Sequence, residues 1–95
     1  MASTEPARVT VVTAPACHFC DDAQAALAEL GHAYPLAVQL VAADSSDGQA
    51  LLYAHHAGMF PLVLVDGVFF AAGRLPRRKL ARLLADRAPD VAGRR

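Results

Sequence analysis

Thr13-Ala14-Pro15-Ala16-Cys17-His18-Phe19-Cys20 joins an apolar, β-branched run to a run with helical spacing, and it holds both cysteines of the 95-residue chain. Upstream, Arg8 to Thr13 is short and rich in Val and Thr, the pattern of a buried strand that enters a loop at Ala14-Pro15. Downstream, Cys20, Ala23, Leu27 and Leu30 recur at helical intervals, and Gly31 is expected in the αL conformation that closes many helices. The cysteines therefore flank a strand-to-helix junction, with Cys17 at the helix start and Cys20 one turn later on the apolar stripe.

Working outward, Pro35 to Val41 reads as a second apolar strand, and the polar cluster Asp44-Ser45-Ser46-Asp47-Gly48 interrupts regular structure and supplies a cap. The helix that follows, about Gln49 to Ala57, is expected to close at Gly58. Pro61 opens the run Leu62-Val63-Leu64-Val65, and Asp66-Gly67 joins it to Val68-Phe69-Phe70 as a hairpin, because a type I′ turn wants residues that tolerate positive φ. Gly73 ends the hairpin. Pro76 suits the first position of a third helix with Leu80, Leu83 and Leu84 inward and Arg77, Arg78, Lys79 and Arg82 outward. Residues 88–95 read as a tail, which leaves one domain over 1–95 with its core at about 8–87.

Composition bounds the rest. The apolar share is 55%, but 21 residues are Ala and contribute little transfer free energy each, and Ile and Trp are absent, so the core is expected to rest on Leu, Val and the four Phe. Neither a signal peptide nor a run of about 18 apolar residues is visible, which makes a cytoplasmic location with no membrane partner the expectation. A net charge of zero hides an asymmetry: one basic and seven acidic residues precede Arg74, whereas eight basic and two acidic ones occur from Arg74 onward. A basic C-terminal element suits an acidic partner, but the favoured reading is a solvated helix face balanced by the rest of the domain, and no nucleic acid partner is expected.

In a reducing cytosol, two cysteines three apart are more often catalytic or metal-binding than structural, since a disulfide closing so short a loop removes little unfolded-state entropy. Placement at the helix start favours redox chemistry. The thiolate is the nucleophile, and at Cys17 free backbone N–H groups and the helix dipole would stabilise it. Cys20, less exposed, would then resolve a mixed disulfide between Cys17 and a substrate. A protonated His18 would tune the Cys17 thiolate favourably, while Asp21 and Asp22 in the same turn oppose it. A zinc ion or iron–sulfur cluster on Cys17 and Cys20 stays open as an alternative, although no second Cys pair completes four ligands.

The order β-α-β-α-β-β-α, with Cys-x-x-Cys at the first strand-to-helix junction and Pro61 opening the third strand, resembles the thioredoxin fold in its glutaredoxin-sized form. More narrowly, Ala14-Pro15-Ala16-Cys17-His18-Phe19-Cys20-Asp21-Asp22-Ala23 is similar to small glutaredoxin-like proteins. The resemblance covers about residues 8–87 and is most specific at the Cys motif and at Met59-Phe60-Pro61 with Val65-Asp66-Gly67. It implies an α/β domain with a four-stranded mixed sheet and helices on both faces. It further implies a cis Pro61 beside the cysteines and a Phe60 backbone open to strand addition by a substrate, with Phe19 and Phe60 as an apolar rim. The implied activity is thiol–disulfide exchange on a disulfide-containing protein or low-molecular-weight thiol, with a reductase or thiol as electron donor.

No cofactor beyond a redox-active Cys17–Cys20 disulfide is implied. Glutathione is the weakest element of the likeness. The cationic anchor that glutathione-binding relatives carry before the Cys motif is missing from Thr13-Ala14-Pro15-Ala16, and Arg74 offers a different carboxylate contact. The competing reading is a thioredoxin-like binding module that holds a partner through Phe60 and the basic third helix without turnover.

Overall fold

The structure is a computed structural model that describes residues 5–87. Its elements are β1 (Ala7–Thr13), α1 (His18–Leu30), β2 (Leu36–Ala42), α2 (Ser46–Ala54), β3 (Leu62–Val65), β4 (Val68–Ala72) and α3 (Arg77–Arg87). The sheet order is β2-β1-β3-β4, with β2 parallel to β1 and both later pairs antiparallel. This is the element order and mixed sheet expected from the sequence. The tail expected over 88–95 lies outside the described residues.

β1 is the central apolar strand, and its period-2 alternation divides the core between two layers. Ala7, Val9 and Val11 pack with Ala23, Ala26 and Leu27 of α1 and with Leu80 and Leu84 of α3. On the opposite face Val12 joins Leu62 and Leu64 of β3 beneath Leu51 and Leu52 of α2. Helices thus cover both faces. Each buried Val or Leu contributes roughly 1.5–3 kcal/mol, and these aliphatic side chains carry most of the core. Of the four Phe only Phe70, half-buried, packs against it, while Phe19 and Phe69 are exposed and Phe60 is half-buried. Leu83, expected inward, is 37% exposed, because Leu80 and Leu84 already fill the narrow stripe that α3 turns to the sheet.

Local chemistry moved several boundaries. Gly31 has φ −64°, not a positive value, and the last carbonyls of α1 are taken by continuing turns in which Ala33 and Tyr34 N–H both donate to Leu30 O. α2 begins earlier than expected, at Ser46, because Ser45 caps it: Ser45 Oγ accepts from Gly48 N–H at 2.9 Å and donates to Ala42 O at 2.7 Å. Its end also differs. His56, with φ 51°, supplies the left-handed residue, and Ala57 N–H reaches back to Leu52 O, so Gly58 closes nothing. In the hairpin, Asp66 (φ 52°) and Gly67 (φ 83°) hold the positive φ values that the turn requires. Asp66 does more than turn the chain. Its carboxylate accepts from Arg8 N–H at 3.0 Å and pairs with Arg87 at 3.0 Å, tying the start of β1 to the end of α3.

Gly48 lies inside α2 because that turn presses on the end of β2: a Cβ there would stand 2.0 Å from Ala42 O. Helix propensity alone makes Gly→Ala favourable by about 1 kcal/mol. The clash reverses the sign, so Gly48→Ala is expected to lower stability by about 2 kcal/mol or more in urea unfolding. A variant as stable as the parent would show that this backbone approach is not a constraint.

Candidate redox site at the strand-to-helix junction

β1 runs into the turn Ala14-Pro15-Ala16, where Ala16 takes a left-handed φ of 52° and delivers Cys17 to the start of α1. Cys17 is the N-cap, with φ −118° and ψ 107°, and its Sγ accepts from Cys20 N–H at 3.1 Å. Its carbonyl accepts from Asp21 N–H at 3.1 Å, so side chain and backbone of one residue close the first turn. The two cysteines form a disulfide with a Cα–Cα separation of 5.2 Å. They differ in access: Cys17 is half-buried, whereas Cys20 is 2% exposed and belongs to the buried face of α1.

Sheet register brings the second specific motif to the same end. Val12 of β1 faces Leu62 of β3, so Pro61 stands opposite Thr13, where the cysteine-bearing loop begins. The Phe60–Pro61 peptide bond is cis. Pro61 is buried, and its carbonyl accepts from Gly73 N–H at 3.0 Å, which anchors this loop to the end of β4. Phe60 is half-buried. Phe19, at 41% exposure, and Met59, at 54%, are open to solvent.

Of the residues singled out from sequence, Cys17 and Cys20 are bonded together, and Pro61 shares their end of the sheet. His18 is exposed, and its side chain has no hydrogen bond, ion pair or ring contact among the described residues. Asp22 is not simply an opposing charge at the helix start. Its Oδ1 sits 2.8 Å from Arg77 Nη2, both side chains about half exposed, a pair worth at most about 1 kcal/mol.

Sequence reading placed Gly73 only as the end of the hairpin, and it missed both the contact of Gly73 with Met59 and the exposed position of Met59. Gly73 has φ 97°, and a Cβ there would meet Met59 Cε at 3.3 Å, so the methionine lies over this glycine beside the Pro61 carbonyl. The signal was the position of Met59 two residues before a strand-opening proline. Among the described residues, no group of three or more His, Cys, Asp or Glu is placed to hold a metal ion, and no helix is long and apolar enough to cross a membrane.

Ala16 pays a local conformational cost of about 1–2 kcal/mol for its left-handed backbone. Ala16→Gly removes that cost while adding unfolded-state entropy, so a net gain of about 0.5–1 kcal/mol is expected in thermal or urea unfolding of the oxidised protein. A loss of stability would mean that the alanine methyl packs against the loop in a way that outweighs its backbone strain.

No protein-family model matches the chain, and no curated protein matches it in sequence.

Proposed function

We propose that the chain is a thiol–disulfide oxidoreductase of the glutaredoxin-like kind, with Cys17 as nucleophile and Cys20 as resolving residue. The observation that carries this reading is the capping of α1 by sulfur: Cys17 Sγ accepts the Cys20 N–H while Cys20 lies buried behind it. In the reduced protein the same N–H faces a Cys17 thiolate. That contact becomes a charge-assisted hydrogen bond, and the helix dipole adds roughly 0.3–1 kcal/mol in favour of the anion.

The electron flow follows. Cys17 thiolate attacks one sulfur of a substrate disulfide, forming a Cys17–substrate disulfide and expelling the other substrate sulfur as a thiolate that takes up a proton. Cys20, losing its proton, then attacks Cys17 Sγ and releases the second substrate thiol. Two electrons pass to the substrate, and the Cys17–Cys20 disulfide is formed. A low-molecular-weight thiol or a reductase would restore the dithiol by the reverse exchange. Phe19 and the Phe60 backbone before cis Pro61 would receive the substrate segment, the exposed ring offering apolar contact and the backbone offering strand-type hydrogen bonds. A cytoplasmic setting, where thiols are kept reduced, suits this use of the pair.

Trapping experiments separate the two roles. Cys20→Ser is expected to accumulate a mixed disulfide with a model disulfide peptide, seen by intact mass, because the resolving thiol is gone. Cys17→Ser is expected to give none above background, since its remaining thiol is buried. The opposite pattern would overturn the assignment, and no adduct in either variant would overturn the redox reading itself.

A further inference from the structure

The stretch from Arg74 to Arg82 carries more positive charge than the fold uses. Arg77 pairs with Asp22, Lys79 Nζ stands 5.6 Å from the centre of the Phe70 ring, and Arg87 at the far end is tied to Asp66 and to Glu5 O. Arg74, Arg78 and Arg82 are exposed and have no ionic partner among the described residues. These three arginines line one open groove of about 780 Å³ whose floor is Leu75 and Pro76 and whose wall includes Asp22 of α1. Asp86, one turn beyond Arg82, confines the positive surface to the half of α3 nearer α1.

Two links connect that groove to the elements that carry the disulfide and the cis proline. Through the Arg77–Asp22 pair it meets the first turn of α1, and Asp22 is two residues past Cys20. Through Arg74 it meets the cis-proline loop, since Arg74 follows Gly73, whose N–H donates to Pro61 O. Five residues of helix separate Cys17 from Asp22, an axial distance of roughly 8 Å, and an extended chain covers about 3.4 Å per residue. We propose that this groove docks an acidic polypeptide segment of the disulfide-bearing partner, with Asp or Glu side chains about two to six positions from the cysteine that Cys17 attacks. Guanidinium groups bind carboxylates through forked paired hydrogen bonds, and three unpaired arginines in one row recognise a run of carboxylates better than a single one. The inference rests on the proposed redox reading for its placement of the reacting cysteine, but the binding step does not need it.

Two measurements on the full chain keep the two ideas apart. In the first, the oxidised protein is titrated with a labelled, cysteine-free decapeptide rich in Asp and Glu, and with its Asn/Gln counterpart, by fluorescence anisotropy. Binding of the acidic peptide at least about tenfold tighter than its counterpart is expected, with the preference fading as salt shortens the screening length from about 30 Å at 0.01 M to about 10 Å at 0.1 M. Arg74→Gln/Arg78→Gln/Arg82→Gln is expected to abolish the preference. A triple variant on exposed positions of β2 and α2, Gln39→Glu/Ala50→Glu/Tyr53→Glu, makes the same change in net charge and is expected to keep it.

Equal affinity for the two peptides, equal losses in the two triple variants, or tighter binding of a DNA oligonucleotide of matched charge would each overturn the docking proposal. In the second measurement, the reduced protein reacts with acidic and neutral disulfide peptides, and a faster rate with the acidic one is expected. Binding without exchange would sink the redox reading and keep the docking surface. Exchange at equal rates would do the reverse.

Discussion

β1 is hydrogen-bonded along both edges and covered on both faces, and the placement of every other element depends on it. Its register against β3 is enforced by burial. A slip of one residue would turn Val9 and Val11 from the α1/α3 layer to the α2 layer, reversing side chains that are fully buried where they stand. The same slip would turn Arg8 and Thr10 into the α1/α3 layer, and burying polar groups without partners costs a few kcal/mol each, a large part of the roughly 5–15 kcal/mol by which a domain is normally stable. The register that results sets Val12 beside Leu62, and through it Thr13 beside Pro61. The meeting of the cysteine loop with the cis-proline loop is thus a by-product of core packing and needs no contact of its own to hold it.

The two capped helices offer a comparison within one molecule. At α2 an extended residue, Ser45, accepts the N–H three residues on through an oxygen at 2.9 Å; at α1 Cys17 does the same through a sulfur at 3.1 Å. A hydroxyl is a good cap, whereas a neutral sulfur is a weak acceptor. The exchange of oxygen for sulfur therefore costs α1 some helix stability in the oxidised state. Reduction changes the balance, because a thiolate is a strong acceptor and carries the charge that a helix start favours. In the proposed redox role, the cap of α1 would gain strength each time the pair is reduced.

The local features were legible because they need only neighbouring residues: the alternation in β1, the stripe of α1, the Asp66-Gly67 turn and the Cys17 cap position are all set within a few positions of sequence. Features set at long range were not. Gly48 looked like a breaker because glycine in a polar cluster usually is one, and only the Ala42 carbonyl, brought close by the β2-to-α2 turn, shows why no side chain fits there. The exposure of Val38 and Leu40 depends on β2 being an edge strand, which its apolar sequence does not reveal. Phe69 and Phe70 read as core residues by type, yet only Phe70, left without an opposite residue by a register shift in β4, packs against the core, while Phe69 is 48% exposed beside His55. The Asp22–Arg77 pair, which alters the charge near the sulfurs, joins residues 55 positions apart.

α3 shows how stability and recognition are divided. Leu80 and Leu84, both almost fully buried, anchor the helix with roughly 3–6 kcal/mol between them. The ion pairs at its two ends, Arg77–Asp22 and Arg87–Asp66, are partly exposed and worth at most about 1 kcal/mol each. Position is therefore set by the apolar stripe, and the ion pairs chiefly orient the helix ends. Arg74, Arg78 and Arg82 take no part in either task, so their side chains stay extended into solvent without weakening the fold. Among the described residues they have no ionic partner, which leaves their charge to the docking role proposed above. The residues that fix the shape of this surface and the residues that give it its sign are different ones.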